Sequence, residues 1–452
     1  MLQTCFPDAA PCCAQGGTEP TKFRDSFSSR PLLGVALFAA VVVTAAVFTP
    51  APAYAENFGA KGVELGLQDA LAKAISRNKE LAAFEHRRDE QDGRVEQAGL
   101  VPNPTLRLIV ENVAGSGTYE GFDSAQTTLS LEWVLERTIR RRRVAAAEAG
   151  SALLITDAEI LRLELAAETA QRFLSSLANQ ARLENANEAV SLAEDTVTAV
   201  RRRVRAGKAP SAERTRAEAE LAIAKLSRDD VGHELTIAYH RLAAQWGELA
   251  PGFSRVTGDL LSVPTPSPFA NFQGRIEQNP RLARFVSEER VAAANLQLAK
   301  AKRWPTLRPS VGVRRLEATD DFSIVAEFSI PLPVLNRNQG RVSESRAALS
   351  RTRADAEATR VRVHTALFEV YEELQHHLHR VSALRDQVIP RLVTALDETR
   401  RGYEKGRYSY FEWSSVQADL LEARSQLVEA STGAHRLVIA LERLTGERVA
   451  KS

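Results

Sequence analysis

A chain of 452 residues with 6% aromatic and 26% charged residues and a single methionine is poor in the side chains that fill several compact domains. Alanine, leucine, glutamate and arginine dominate instead, the composition of long helices. The formal net charge of +2 excludes the basic footprint of a nucleic-acid-binding protein.

The chain opens with an N-terminal extension, residues 1–30, and a targeting segment, residues 31–55. Arg30 precedes an apolar run from Pro31 to Phe48, and Ala53-Tyr54-Ala55 fits the small-x-small rule for cleavage before Glu56. An uncleaved anchor is the alternative, since the run is just long enough to span a bilayer. Cys5, Cys12 and Cys13 all precede the run, so the mature chain carries no cysteine for a disulfide or a lipid anchor. No second stretch is apolar enough for a membrane helix. An exported chain of this kind crosses a membrane, if at all, with strands.

From residue 56 to 250 the pattern predicts helix, two strands, long helix, tight turn and helix, with helices over Val63–Gly99, Ile139–Val204 and Ser211–Glu248. No proline falls between Pro104 and Pro210, and Val190, Ala193, Val197, Val200 and Val204 recur at coiled-coil spacing. Residues 251–268 then form a proline-rich linker. Beyond it, residues 269–452 repeat the order, with helices over Phe269–Lys302, Arg341–Gly402 and Ser414–Thr445. The repeat is visible residue by residue. Asn78, Leu81, Phe84, Pro104 and Leu106 match Asn279, Leu282, Phe285, Pro305 and Leu307, and Gly207 and Glu213 match Gly406 and Glu412. The two short helices of each unit, stacked end to end, would line its long helix, a rod of about 100 Å.

Four segments alternate with period two. Leu106, Leu108 and Val110 oppose Arg107 and Glu111; Ala125, Leu129, Leu131 and Trp133 oppose Gln126, Thr128, Ser130 and Glu132. In the second unit Leu307, Val311 and Val313 oppose Arg308, Ser310 and Arg314, and Phe322, Ile324, Ala326, Phe328 and Ile330 oppose Ser323, Glu327 and Ser329. Lengths of about ten residues suit a membrane barrel. Four strands cannot close one, and an open edge in lipid leaves backbone groups unsatisfied, so further copies of the chain must complete it.

Specific residues extend the pattern to a resemblance. "VPNPTL" and "ENVAGSG" in the first strand and its loop, "LSLEWVLE" followed by Arg140–Arg143, and "PLPVLNRNQGRVSESRAAL" from Pro331 to Leu349 resemble the TolC family of outer-membrane efflux channels. The Asn-Pro and Glu-Asn pieces are similar to its heavy-metal branch of CzcC type, although Thr138-Ile139 stand where that branch usually has two glycines. The resemblance implies a mainly α protein with a transmembrane β-barrel. Long coiled-coil helices come in two tandem repeats, and four strands per chain contribute to a trimeric twelve-stranded barrel embedded in outer-membrane lipid. It implies a periplasmic helical tunnel, and as partners a homotrimer, a periplasmic membrane-fusion adaptor and an inner-membrane pump of the resistance-nodulation-division type. Heavy-metal cations are the expected cargo, with drugs or other small molecules through the same channel, or a non-pore coiled-coil stalk, as alternatives.

The far end of the tunnel should lie at the turns Arg205–Glu213 and Glu404–Glu412. Gly207 and Gly406 supply the positive φ a helix end needs. The resemblance makes Glu412 and its repeat mate Glu213 candidates for a periplasmic constriction, as carboxylate rings that favour cations. The competing reading is that each acid sits in a helix first turn, favoured by the dipole. Lys208, Arg407, Tyr408 and Tyr410, expected to be exposed, are candidate adaptor contacts. His376, His377 and His379 tempt a metal reading, but without further ligands they read better as a solvated helix face. No GxxxxGK[ST], HExxH or GxSxG motif occurs, and neither enzymatic activity nor a cofactor is expected.

Overall fold

A computed structural model describes residues 62–446, which lie within one compact unit; the targeting segment and all three cysteines lie outside the described residues. The first repeat runs β1 (Glu64–Gly66), α1 (Leu67–Arg77), α2 (Lys79–Gly99), β2 (Thr105–Glu111), β3 (Gln126–Glu132), α3 (Arg137–Arg205) and α4 (Ser211–Ala243). After β4 (Arg255–Thr257) and α5 (Phe269–Gln273), the second continues with α6 (Pro280–Ala301), β5 (Arg308–Leu316), β6 (Asp321–Ser329), α7 (Gln339–Ala383), α8 (Ile389–Glu404) and α9 (Tyr410–Thr445).

The single helix expected over Val63–Gly99 is broken at Asn78, because that residue is extended and turns its side chain back as a cap. Its carbonyl oxygen accepts the N–H of Glu80 at 2.8 Å, while its amide donates to the carbonyl of Gln245 at 2.9 Å, beyond the end of α4. Asn279 breaks the helix expected over Phe269–Lys302 in the same way. It accepts from Arg281 at 2.9 Å and donates to the carbonyl of Leu444 at 2.7 Å, near the end of α9. Each matched asparagine thus joins two short helices end to end, which is how they line one long helix.

α3 is a continuous helix of 69 residues, about 100 Å long. Its coiled-coil positions Val190, Ala193, Val197 and Val200 are buried, as are Leu367, Leu374 and Val381 of α7. The helix expected over Arg341–Gly402 is longer, from Gln339 to Glu404, and is interrupted by a π-helical turn at Leu384–Val388. Pro390 is the reason: it has no N–H to donate and its ring collides with the carbonyl one turn earlier, so the helix widens ahead of it. The last helix begins at Tyr410 rather than Ser414, because Ser409 caps it.

The proline-rich linker is also more than a spacer. Its strand β4 pairs in parallel with β1, and Phe253, Val256 and Leu260 are buried against α3. Gln180 of α3 holds β4 in place, accepting the N–H of Val256 at 2.7 Å and donating to its carbonyl at 3.1 Å. The same Gln180 accepts the hydroxyl of Tyr239 at 2.7 Å, and burial pushes that phenol up to about 12. None of this is visible locally, since a three-residue strand has no period to read.

The other four strands form one antiparallel sheet in the order β2-β3-β5-β6, with β2 and β6 as its edges. Its register aligns Leu108, Leu129, Val313 and Ile324 in one row and Ile109, Thr128, Arg314 and Ser323 in the next. The first row lies on an apolar face left exposed, with Leu108 at 64% and Ile324 at 83%. The second lies on the polar face, where Arg314 donates to Thr128 at 2.9 Å and pairs with Glu111 at 3.6 Å. Gly312 sits across from Ser130 so closely that a Cβ would lie 2.5 Å from the carbonyl of Leu129. No helix among the described residues is long and apolar enough to cross a membrane.

Candidate functional site: the helical tip

At the end of the rod remote from the sheet, two turns lie side by side. Gly207 and Gly406 take φ of +69° and +75°, the left-handed region where a Cβ is strained. Each lets the chain close its helix: Lys208 N–H donates to the carbonyl of Arg203 at 2.9 Å, and Arg407 N–H to that of Gly402 at 2.8 Å. Lys208, Arg407 and Tyr408 are exposed, Tyr408 lying over Gly402, where a Cβ would meet its ring.

Tyr410 is a correction: it is 3% exposed, not a surface group. It begins α9 on the side packed against α3, in a cluster with Tyr403, Trp413, Val197, Val200 and Ala217. Its hydroxyl donates to Glu220 of α4 at 2.6 Å, and that of Tyr403 donates to Glu213 at 2.8 Å. Burial first, and then each carboxylate, raises both phenol pKa values well above their ordinary range. Arg203 lies over the Tyr403 ring at 4.5 Å and donates to the carbonyl of Lys208 at 3.0 Å. Its Nε and Nη1 are buried without a hydrogen-bond partner, so the aromatic face is what compensates them. These contacts tie the first repeat's tip to the second's within one chain.

The two candidate acids differ although they are repeat mates. Glu213 is half-buried and holds Tyr403. Glu412 is exposed and closes a capping box: the N–H of Ser409 donates to its carboxylate at 2.7 Å, and its own N–H donates to Ser409 Oγ at 3.2 Å. The backbone N–H of Ser409, and secondarily its hydroxyl, hold the Glu412 carboxyl below the usual carboxylate range. Glu412 is therefore an exposed anion at neutral pH, fixed at the start of α9. Tyr403, Glu220 and Arg203 escaped the sequence reading. The one signal for Tyr403 was an aromatic just before the turn glycine, where the first repeat has Val204.

Of the histidines, His376 and His379 face solvent, whereas His377 packs on Gly433 of α9. Among the described residues no group of three His, Cys, Asp or Glu is placed to hold a metal ion.

Residues 70–248 and 273–447 match the family model described as outer membrane efflux protein. The chain belongs to that family. An efflux protein of this family is an outer-membrane protein with a periplasmic helical tunnel. Among its relatives, the cobalt-zinc-cadmium resistance protein CzcC of Cupriavidus metallidurans is 26% identical over 383 residues, covering 84% of this chain and 90% of that one. A membrane protein from Pseudomonas aeruginosa has a similar fold, with a TM-score of 0.71 at 17% identity over 84% of this chain and 90% of that one. CusC, whose crystal structures concern transmembrane channel formation, has a TM-score of 0.70 at 16% identity, over 85% and 93%.

Proposed function

We propose that this outer-membrane efflux protein is the passive exit duct of a tripartite system for heavy-metal cations, assembled from three copies of the chain. The sheet carries the duct reading. One face is exposed and apolar, the other is polar and paired, and the outer edges of β2 and β6 pair with no further strand among the described residues. Three such sheets edge to edge make about twelve strands, enough to leave an open lumen, whereas two make about eight, whose interior side chains fill it. The cargo reading rests on the relative named for cobalt, zinc and cadmium resistance. It is supported at the tip, where Glu412 from each copy would present a ring of ionised carboxylates, favourable to cations and repulsive to anions. Glu213 acts one layer behind, anchoring Tyr403. Gly207, Lys208, Gly406, Arg407 and Tyr408 form the surface for a periplasmic adaptor, which connects to the pump that supplies the energy. The duct performs no chemistry.

Single-channel conductance in a planar bilayer tests this, with Glu412→Gln beside the wild type. Glutamine keeps the capping box, so the variant removes charge without removing the cap. Discrete cation-preferring steps that lose their preference in the variant are expected. Steps unchanged by the substitution would discard the carboxylate ring, and the absence of any steps from a correctly assembled barrel would count against the duct reading.

A further inference from the structure

We propose that the periplasmic end of the sheet carries a collar that binds the headgroups of anionic phospholipids in the adjoining leaflet, an inference that rests on the membrane placement of the strands. Two features coincide at that level, and the far end of the sheet lacks the second. The apolar face continues past the strand ends: Trp133 and Leu135 extend the alternation of β3, Trp304 ahead of β5 is 75% exposed, and Leu335 after β6 is 89% exposed. An indole belongs at such a boundary, its ring in the apolar layer and its N–H in the wet one.

Basic side chains sit beside these groups. Arg137, Arg141 and Arg142 open α3, and Lys302 and Arg303 follow α6. The two groups are neighbours, because Trp133 N–H donates to the carbonyl of Pro309 at 3.0 Å and Leu135 N–H to that of Leu307 at 2.9 Å. All five are exposed, and among the described residues none makes an ion pair. Arg143, next in sequence, shows the contrast: it is occupied with the carbonyls of Ala98 and Leu100, each at 2.8 Å, and with Glu136 at 2.9 Å.

The opposite end of the sheet has the other sign. Glu120, Asp123, Glu317, Asp320 and Asp321 surround its turns, and Arg315 there is neutralised by Glu317 and Asp320, each at 2.9 Å. The free positive charge is thus confined to the end where strands meet helices, at the depth of the exposed tryptophans. A phosphate there is met by guanidinium groups while its acyl chains lie along Trp304 and Leu335. A zwitterionic lipid presents the same phosphate with an ammonium that the arginines repel.

Native mass spectrometry of the purified, detergent-extracted channel tests the collar, by titration with phosphatidylglycerol or phosphatidylethanolamine of equal chain length. The variant Arg137→Gln/Arg141→Gln/Arg142→Gln/Arg303→Gln is compared with a charge-matched control, Arg182→Gln/Arg228→Gln/Arg241→Gln/Arg391→Gln. Phosphatidylglycerol should be retained over phosphatidylethanolamine, falling about fivefold for each collar arginine removed and unchanged in the control. Equal retention of the two lipids, equal loss in both variants, or displacement of lipid by inorganic phosphate alone would overturn the proposal. If the fourfold variant fails to assemble, Arg141→Gln/Arg142→Gln and Arg137→Gln/Arg303→Gln are read in its place. A heat-modifiable barrel band, scored separately, distinguishes a barrel without a collar from no barrel at all.

Discussion

At the scale of single residues, the tip is held by hydrogen bonds from buried tyrosines to carboxylates on α4. Tyr403→Phe keeps the ring stacked under Arg203 but removes the donor to Glu213. It should lower stability by about 1 kcal/mol, read as faster amide exchange across both tip turns. Glu412 adds a pH dependence whose sign follows from its lowered pKa. The capping carboxylate is fully ionised at neutral pH, and its contribution fades as pH falls through the folded-state pKa. Protection of the first turn of α9 should therefore decline on acidification in the wild type and stay flat in Glu412→Gln, measured by hydrogen exchange at each pH. A wild type as flat as the variant would show that the cap does not depend on the charge of Glu412.

At the scale of elements, the sheet's two faces predict opposite responses to one substitution. Ile324 and Ser323 are adjacent in β6 and point to opposite faces. Ile324→Lys places an ammonium in lipid and should cost about 2–4 kcal/mol if near the midplane, or less toward an interface. Ser323→Lys, on the polar face, should be tolerated. Recovery of heat-resistant oligomer from membranes is the measurement, and equal recovery of the two would deny the face assignment. Much of this was legible in the chain, since period-two alternation is a local property and Phe322–Ile330 shows it cleanly. The pairing of β1 with β4 was not, nor was the π-helical turn before Pro390. The first depends on a contact between segments far apart in sequence, and the second on how a long helix absorbs one missing N–H.

At the scale of the whole molecule, each open sheet edge demands another copy of the chain, because unpaired backbone groups in lipid are costly. Unboiled protein should migrate on a gel at about three times the mass of the boiled chain, as a twelve-stranded barrel requires. A species of about twice the mass would instead indicate an eight-stranded closure with a filled interior. The internal repeat explains why one chain supplies two equivalent hairpins and two equivalent rods. Asn78 and Asn279 show the repeat acting mechanically, each fastening the end of one short helix to the start of another.

The sequence by itself determined what is periodic: strand against helix, the number of repeats, the turn glycines and the apolar face of the barrel. These are set by the spacing of side chains along a few neighbouring residues, which no partner is needed to reveal. Only the tertiary structure decided which side chains meet. It buried Tyr410, although the tip turn around it is polar, because α9 begins early enough to press that residue against α3. It also gave the repeat mates Glu213 and Glu412 different work, one tied to Tyr403 and one closing a helix cap. The two tips are built from like sequences but face unlike neighbours, and a neighbour is a property of the fold.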